Sequence, residues 1–312
     1  MSKKRLFQLV TLVNVAGSIL LGLGIVLWTP DLPRATVEAQ YLQQPGDLVE
    51  VAGTTVHLRD SGPRDGPPVI LIHGFGSSLH TWNAWAAALE SDRRVIRFDL
   101  PGHGLSPADR TGDYSDARVM AVVIGIMDRL GVRRADFVGN SIGGRIAFTF
   151  AATHPERVRK LVLVSPDGYE SPGFRYGVAP EVPMVAGAMR LWLPRPLLRL
   201  TLGTAFADSA AVTEPLVSRY YDLIRAPGVR AAMLERMRQT VLVPPEPLLA
   251  RVRAPVLLLW GEEDALIPVS TAGGYVRALP HVQTVLLPHL GHVPQEEGPE
   301  RSLRPVRAFL DA

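Results

Sequence analysis

The 312-residue chain contains no cysteine. Disulfide bonds, thiolate zinc sites, iron–sulfur clusters and a cysteine nucleophile are therefore all excluded. The chain also has little excess charge, because 33 Lys and Arg stand against 30 Asp and Glu. The run Lys3-Lys4-Arg5 alone matches the net charge of +3, so the rest of the chain lacks the basic excess that a nucleic-acid-binding face needs. We expect no nucleic-acid partner.

A long stretch near the N-terminus has no charged residue at all. It runs from Leu6 to Trp28 and is long enough, as a helix, to span the hydrocarbon core of a bilayer. The basic run before it is expected to stay in the cytoplasm. The sequence therefore predicts an uncleaved membrane anchor over residues 1–28, with the remainder of the chain on the non-cytoplasmic side.

Two alternatives to an anchor remain open. A small-residue cleavage site at Val37-Glu38-Ala39 would make the stretch a signal peptide and the mature protein secreted or periplasmic. A buried helix of a soluble protein is the second alternative. Residues 29–47 contain Pro30, Pro33 and Pro45, and this composition suggests a tether. On that interpretation a chain beginning near Tyr41 would retain the whole folded domain.

Beyond residue 47, apolar runs alternate with helical patterns, which is typical of βαβ units and a parallel sheet. The strand candidates are residues 54–60, 68–72, 94–99, 135–139, 160–165, 255–260 and 282–288. No strand candidate falls within residues 167–248, where Pro and Gly interrupt several helical pieces. Because so long a structureless loop is rare in a compact domain, we predict a helical insertion there, between core segments 48–166 and 249–312.

One serine lies where a strand candidate meets a helical pattern. It is Ser141, in Gly139-Asn140-Ser141-Ile142-Gly143. This G-x-S-x-G pattern, set between a strand and a helix, predicts a nucleophile on a sharp turn. The helix that begins behind the serine favours negative charge near its hydroxyl.

A serine nucleophile needs a base and a carboxylate that orients the base. His292 follows the last strand candidate in a Gly-Pro loop and is the predicted base, with His289 as its rival. Asp264 follows the strand candidate 255–260 and is the predicted acid, with Asp167 as a second position. The neighbouring Glu262 and Glu263 are interpreted as solvated loop charges. The resulting order, Ser then Asp then His, fits this type of elbow.

The serine also needs donors for an oxyanion. The Gly-rich run His73-Gly74-Phe75-Gly76-Ser77-Ser78 follows the strand candidate 68–72. We predict the backbone N–H groups of Phe75 and Ile142 as the oxyanion hole. A tight connection is the alternative, whereas a phosphate-binding loop is disfavoured because neither G-x-G-x-x-G nor a Walker motif is present.

These segments together resemble the α/β-hydrolase fold superfamily from about Val49 to Leu310. The matching segments, in the family's order, are HGFGSS, DLPGHGLS, GNSIGG, WGEEDALIP and GHVPQEEGP. The resemblance implies a mostly parallel eight-stranded sheet flanked by helices, with a first strand near residues 48–51. It also implies that residues 167–248 form a cap over the site, and that Asp99 and His103 are structural.

Three further positions bear on the branch of the family. Ser141 argues against the branches that use an Asp nucleophile. The elbow resembles that of carbon–carbon bond hydrolases, in which the Asn before the Ser is functional, so Asn140 is a candidate substrate-binding residue. Phe75 and Val293 depart from the usual pattern of those enzymes.

We therefore predict a serine hydrolase, similar to carboxylesterases and lipases, that cleaves esters of small apolar molecules through an acyl-enzyme. An apolar part of the cap segment, interrupted by Arg190, Arg195 and Arg199, suggests an acyl-accepting wall, with ordinary cap core as the alternative. The two alternative functions are a carbon–carbon bond hydrolase and a non-catalytic, hydrolase-like receptor or signalling protein. The predicted chemistry needs no metal and no organic cofactor, and the membrane is expected as a partner through the N-terminal helix.

Overall fold

The fold is built on one eight-stranded sheet. The computed structural model describes residues 5–8, 11–15, 17–18, 22 and 28–312. Its strands follow the order β1-β2-β4-β3-β5-β6-β7-β8. They are β1 Leu48–Val51, β2 Thr54–Ser61, β3 Pro68–Ile72, β4 Arg94–Phe98, β5 Ala135–Asn140, β6 Val158–Val164, β7 Val256–Gly261 and β8 Val282–Leu287. Strand β2 is antiparallel to both of its neighbours, and all other pairings are parallel. The predicted mostly parallel eight-stranded sheet is confirmed.

Helices alternate with these strands and cover the sheet. In chain order they are α1 Arg34–Tyr41, α2 Asn83–Leu89, α3 Asp116–Arg129, α4 Ile142–Thr153, α5 Met184–Gly187, α6 Arg195–Gly203, α7 Glu214–Ile224, α8 Val229–Gln239, α9 Glu246–Leu249, α10 Ala272–Ala278, α11 Pro294–Glu297 and α12 Pro299–Asp311. Short 3₁₀ turns connect several of them. Helix α3 begins at a serine cap, because the Ser115 hydroxyl accepts a hydrogen bond from the Arg118 N–H.

The continuous apolar strands are explained by burial on both faces. In β3, Val69 and Leu71 belong to the hydrophobic cluster around Trp82 on one face of the sheet. The alternate residues Ile70 and Ile72 belong to the cluster on the other face. Because successive side chains of a strand point to opposite faces, a run such as PVILI can be fully apolar only where both faces are covered.

Helices α5 to α9 all lie between β6 and β7 in the chain. Several of them share a hydrophobic cluster of their own, which contains Leu198, Tyr220, Ile224 and Met233. Two isolated β-bridges, Ser171 with Phe174 and Tyr176 with Leu242, add local pairing in this segment. We refer to the helical part of it, residues 184–249, as the cap.

Within residues 29–47, the part up to Tyr41 is folded against the cap, which differs from the bare tether that the prolines suggest. Residues Arg34–Tyr41 form helix α1, and Val37 of this helix is buried. The Thr29 N–H donates to the Leu191 carbonyl over 2.9 Å, and the Leu32 N–H donates to the Arg225 carbonyl over 2.8 Å. Composition did not reveal this docking because its acceptors lie far away in the sequence.

The predicted membrane anchor falls mostly outside the described residues. Within Leu6 to Trp28 the structure describes only residues 6–8, 11–15, 17–18, 22 and 28. In the described part of the chain, no helix combines the length and the apolar character that a membrane crossing requires. The anchor thus stays a prediction.

Candidate active site

Ser141 lies on the turn between β5 and α4 in a backbone conformation that is rare for a residue with a side chain. Its φ is 56° and its ψ is −124°. Close packing holds this turn, because a Cβ at Gly143 would collide with the carbonyl oxygen of Ile72 and one at Gly139 would collide with the backbone of Gly143. Non-glycine residues with such angles are strained and concentrate at functional sites. The two glycines of the G-x-S-x-G pattern are therefore required by the packing of the turn.

His292 and Asp264 form a buried pair. The His292 Nδ1 lies 2.8 Å from the Asp264 Oδ2. The other carboxylate oxygen accepts the N–H groups of Leu266 and Ile267, over 2.9 and 2.8 Å. Only 5% of Asp264 and 6% of His292 are exposed. The carboxylate is thus fixed by backbone donors on one side and orients the imidazole on the other.

The rival residues have other contacts. The side chain of His289 is 85% exposed and lies 3.3 Å from the Glu263 carboxylate at the surface. The Asp167 carboxylate accepts a hydrogen bond from the Arg145 guanidinium over 2.7 Å. Glu263 also accepts the Leu290 N–H over 3.2 Å, which places it in the structure of the loop. Of the predicted acids, Asp264 is the one that contacts His292.

The predicted oxyanion loop passes directly beside the serine. A Cβ built at Gly74 would lie 3.2 Å from the Ser141 Cβ. The backbone of Phe75, the next residue, therefore also lies near Ser141. Ile142 is the first residue of α4, and the N–H groups of a first helical turn have no acceptor within the helix. Both predicted donors belong to backbone that borders Ser141.

A buried histidine holds this loop in place. The His73 Nε2 accepts the Leu100 N–H over 2.9 Å, and its Nδ1 lies 2.7 Å from the Gly74 carbonyl. Because Nε2 accepts, Nδ1 must carry the proton and donate it to Gly74, which fixes one neutral tautomer. Burial lowers the pKa of His73, in agreement with a neutral ring.

Asp99 and His103 lie beneath the loop. The Asp99 carboxylate bonds the His57 Nδ1 at 2.7 Å and accepts the Leu79 and Leu105 N–H groups over 2.6 and 2.8 Å. Burial opposes its ionisation, but His57 holds the pKa of Asp99 below the usual range. His103 is fully buried, and burial lowers its pKa. These contacts are structural ones, as the resemblance implies.

Asn140 connects the serine turn with the histidine loop. Its Nδ2 donates to the Val164 carbonyl over 3.1 Å and to the His292 carbonyl over 3.0 Å. Its Oδ1 accepts from the Gln295 Nε2 over 3.3 Å. Both amide protons are therefore used within the protein. Asn140 lines the cavity described next, but its contacts hold the loop that carries His292.

A cavity of about 420 Å³ lies between the core and the cap. Ser141 and His292 line it together with the oxyanion loop and side chains of α6, α7 and α8. The lining residues are Gly74, Phe75, Gly76, Ser77, Asn140, Ser141, Met189, Leu193, Leu197, Leu198, Thr201, Leu202, Ala205, Phe206, Tyr220, Ile224, Met233, Leu266, His292 and Val293. Among these described residues there is no Lys or Arg. The site is an apolar chamber with the Ser141 hydroxyl and the His292 imidazole in its lining.

The arginines of the apolar cap segment do not line this cavity. Arg195 and Arg199 are both paired with Glu214, and Arg190 lies 3.3 Å from Glu235. The cavity is instead lined by leucines of helix α6, the helix that carries Arg195 and Arg199. These are Leu197, Leu198 and Leu202. The acyl-wall interpretation therefore fits the leucines and not the arginines.

Sequence reasoning missed a polar cluster that reaches the cavity through Ser77 and Tyr220. The Tyr220 hydroxyl donates to Glu296 over 2.7 Å and lies 3.3 Å from the Ser77 hydroxyl, and Glu296 also pairs with Arg219. These residues come from the oxyanion loop, the cap and α11, so no local motif could reveal them. In the described residues, no group of three or more His, Asp or Glu side chains is arranged to hold a metal ion.

The sequence matches the family described as alpha/beta hydrolase fold over residues 67–299. The chain belongs to this family. It is 33% identical over 276 residues to the 2-hydroxymuconate semialdehyde hydrolase of Pseudomonas putida. The aligned region covers 85% of this chain and 94% of the relative. This relative is a hydrolase by name, and the present chain is a hydrolase of the same fold.

Two solved structures extend the comparison. A membrane phospholipase A, described as a bacterial virulence factor, superposes with a TM-score of 0.72 at 28% identity, covering 99% of this chain and 98% of that one. A thermophilic esterase from Thermogutta terrifontis superposes with a TM-score of 0.70 at 25% identity, covering 85% of this chain and 96% of the esterase. The fold is thus shared with proteins whose names indicate different substrate classes.

Proposed function

We propose that the chain is a serine hydrolase that cleaves carboxylic esters with apolar acyl groups. The observation that carries the proposal is the apolar cavity that has Ser141 and the paired His292 in one wall. In an ester hydrolase these groups act as nucleophile and base, and Asp264 stabilises the charged imidazole. The esterase and phospholipase relatives support the same reaction class.

The proposed reaction has two steps. Ser141 attacks the acyl carbon while His292 takes the hydroxyl proton, and the N–H groups of Phe75 and Ile142 bind the oxyanion that develops. His292 then gives its proton to the departing alcohol, which leaves an acyl-enzyme on Ser141. A water molecule, deprotonated by His292, then attacks that ester, and the acid is released as the Ser141 oxygen takes the proton back from His292.

A fluorophosphonate probe together with p-nitrophenyl esters tests this reaction. We expect the probe to label the wild-type protein and not Ser141→Ala, and we expect ester turnover to disappear with the label. Equal labelling of both proteins would count against Ser141 as nucleophile. Absence of labelling and turnover in the wild type would instead favour the non-catalytic alternative.

Carbon–carbon bond hydrolysis is the second candidate, because of the similarity to 2-hydroxymuconate semialdehyde hydrolase. The substrate in that name carries a carboxylate, whereas the described cavity lining of this chain offers no Lys or Arg to neutralise one. We therefore expect kcat/KM for an apolar p-nitrophenyl ester to exceed that for 2-hydroxymuconate semialdehyde. The reverse ranking would favour the carbon–carbon reaction.

We further propose that the N-terminal stretch anchors the protein, with the hydrolase domain on the non-cytoplasmic side. The charge-free run from Leu6 to Trp28 and the likeness to a membrane phospholipase A over 99% of this chain support the proposal. The full-length protein is expected to stay with membranes in carbonate, and alkaline phosphatase fused after residue 45 is expected to be active. Release by carbonate, or an inactive fusion, would contradict it, and a shortened mature chain would show signal cleavage.

A further inference from the structure

The lining of the apolar cavity contains a pair of hydroxyl groups that the proposed reaction does not use. Apart from Ser141, three of the described lining side chains carry a hydroxyl, namely Ser77, Thr201 and Tyr220. The Thr201 hydroxyl donates to the Leu197 carbonyl of its own helix over 2.9 Å. Ser77 and Tyr220 instead face each other, with 3.3 Å between their oxygens. This pair is therefore a polar element in the otherwise largely apolar lining.

The direction of the Tyr220 proton follows from its second partner. Its hydroxyl lies 2.7 Å from the Glu296 Oε1. Glu296 is almost buried and paired with Arg219, so its carboxylate is an acceptor, and the single phenolic proton must point to it. Burial, aided by Glu296, raises the pKa of Tyr220, so the phenol keeps this proton. The Tyr220 oxygen therefore has only lone pairs left for the cavity.

Ser77 complements this acceptor. Because the Tyr220 proton is directed at Glu296, the Ser77 hydroxyl can donate either to Tyr220 or to a bound molecule. The pair thus presents one acceptor and one donor side by side. An alcohol hydroxyl matches both, since it can donate to the Tyr220 oxygen and accept from Ser77. A carboxylate or phosphate has no proton to donate and would approach the Glu296 carboxylate.

We propose that Ser77 and Tyr220 form a subsite for a free hydroxyl group of the substrate, so that the preferred esters carry an alcohol beside the ester bond. The inference rests on the proposed ester hydrolysis. Ser77 is two residues from Phe75 on the oxyanion loop, which keeps a hydroxyl bound there near the carbonyl under attack. The hydroxyl can belong to the alcohol part, as in a glycerol monoester, or to the acyl part, as in a β-hydroxyacyl ester.

Two matched pairs of substrates distinguish these sources. Glycerol monooctanoate is compared with propyl octanoate, and methyl β-hydroxyoctanoate with methyl octanoate. Because the net gain from a hydrogen bond is modest, we expect kcat/KM to favour the hydroxylated ester by about two- to tenfold in one pair. The pair that shows the preference identifies the part of the substrate that carries the hydroxyl.

Variants assign the preference to the two residues. Tyr220→Phe and Ser77→Ala are each expected to bring the kcat/KM ratio of the matched esters toward one. Tyr221→Phe is the control, since Tyr221 is the next residue of the same helix and does not line the cavity. If Tyr220→Phe does not fold, Ser77→Ala decides the outcome.

Three outcomes overturn the subsite. A wild-type ratio near one in both pairs would do so, and so would a preference that survives both variants. Either result, with turnover still abolished by Ser141→Ala, leaves the proposed ester hydrolysis intact. Wild-type protein that hydrolyses none of the four esters would overturn both proposals together.

Discussion

The Tyr41 hydroxyl donates a 2.8 Å hydrogen bond to the Asp222 carboxylate and so joins helix α1 to cap helix α7 across 181 residues of sequence. Tyr220, two residues before Asp222 on the same helix, lines the cavity. At the other end of this segment, buried Arg230 of α8 pairs with Asp31 over 2.6 Å and donates to the Thr29 carbonyl over 2.8 Å. Residues 29–41 therefore contact and stabilise helices α7 and α8, which carry side chains that line the cavity.

These contacts predict that truncation within the segment weakens the cap. A chain beginning at Trp28 is expected to keep its Tm and its kcat/KM for short esters. A chain beginning at Leu42, close to the start near Tyr41 that composition suggests, is expected to melt earlier and to lose activity. In that chain Arg230 lacks Asp31 and Thr29, and Asp222 lacks Tyr41. Equal Tm and kcat/KM for the two proteins would contradict a supporting role of the segment.

A single substitution tests the contact between Asp31 and Arg230 without removing the segment. Asp31→Ala leaves the buried Arg230 guanidinium without its carboxylate, and because the Asp31 side chain is 41% exposed we expect a loss of only about 1 kcal/mol in the free energy of unfolding. Asp65→Ala, at an exposed turn, serves as the control and should unfold like the wild type. Urea unfolding measures both, and equal curves for all three proteins would show that the pair contributes nothing.

The fixed carboxylate of Asp264 predicts a large effect on catalysis with little effect on folding. Asp264→Asn should reduce kcat for p-nitrophenyl esters by a factor on the order of 10³ to 10⁴, because the amide no longer stabilises the charged His292. Glu263→Gln is the matched control on the same loop and should retain most of the activity. If Glu263→Gln lost activity and Asp264→Asn retained it, the acid would be Glu263 and not Asp264.

The cavity wall predicts which leucine sets the acyl length. Leu198 is 7% exposed and lines the cavity, whereas Leu200 on the same helix is 69% exposed and does not. Leu198→Trp should shift the optimum of a p-nitrophenyl ester series toward shorter chains, since each methylene that no longer fits costs about 1 to 3 kcal/mol in discrimination. Leu200→Trp should leave the optimum unchanged. A shift with Leu200→Trp alone would place the acyl group outside this cavity.

The parts of the protein that local sequence determines were predictable. Apolar runs such as PVILI gave the strands, because a parallel strand covered on both faces admits few polar residues. The pair of His292 and Asp264 was predicted because each follows a strand at the same edge of the sheet. The docking of residues 29–41 and the cluster of Ser77, Tyr220 and Glu296 were not, since each unites residues from distant parts of the chain with no periodic pattern or motif to mark them.

Burial of His80 predicts that stability falls in acid. Its ring lies 3.2 Å from the Ser78 hydroxyl and 3.3 Å from the Tyr41 carbonyl. Burial, reinforced by the positive charge of Arg59 and opposed by Asp99, lowers the pKa of His80 from its ordinary value of 6.5 to about 3. Between these values the unfolded chain binds a proton at this residue and the folded protein does not.

The contribution of His80 is therefore fully present above pH 6.5 and is lost progressively as the pH falls toward 3. One such proton changes the free energy of unfolding by up to about 1.4 kcal/mol per pH unit. Buried His73 and His103, whose pKa values burial also lowers, add to the slope in the same direction. The free energy of unfolding, measured with urea between pH 5 and pH 7.5, should rise with pH, and His80→Asn should reduce this slope by up to about 1.4 kcal/mol per pH unit. His281→Asn, at an exposed position, is the matched control. Parallel curves for His80→Asn and the wild type would mean that His80 takes up its proton in the folded protein as well.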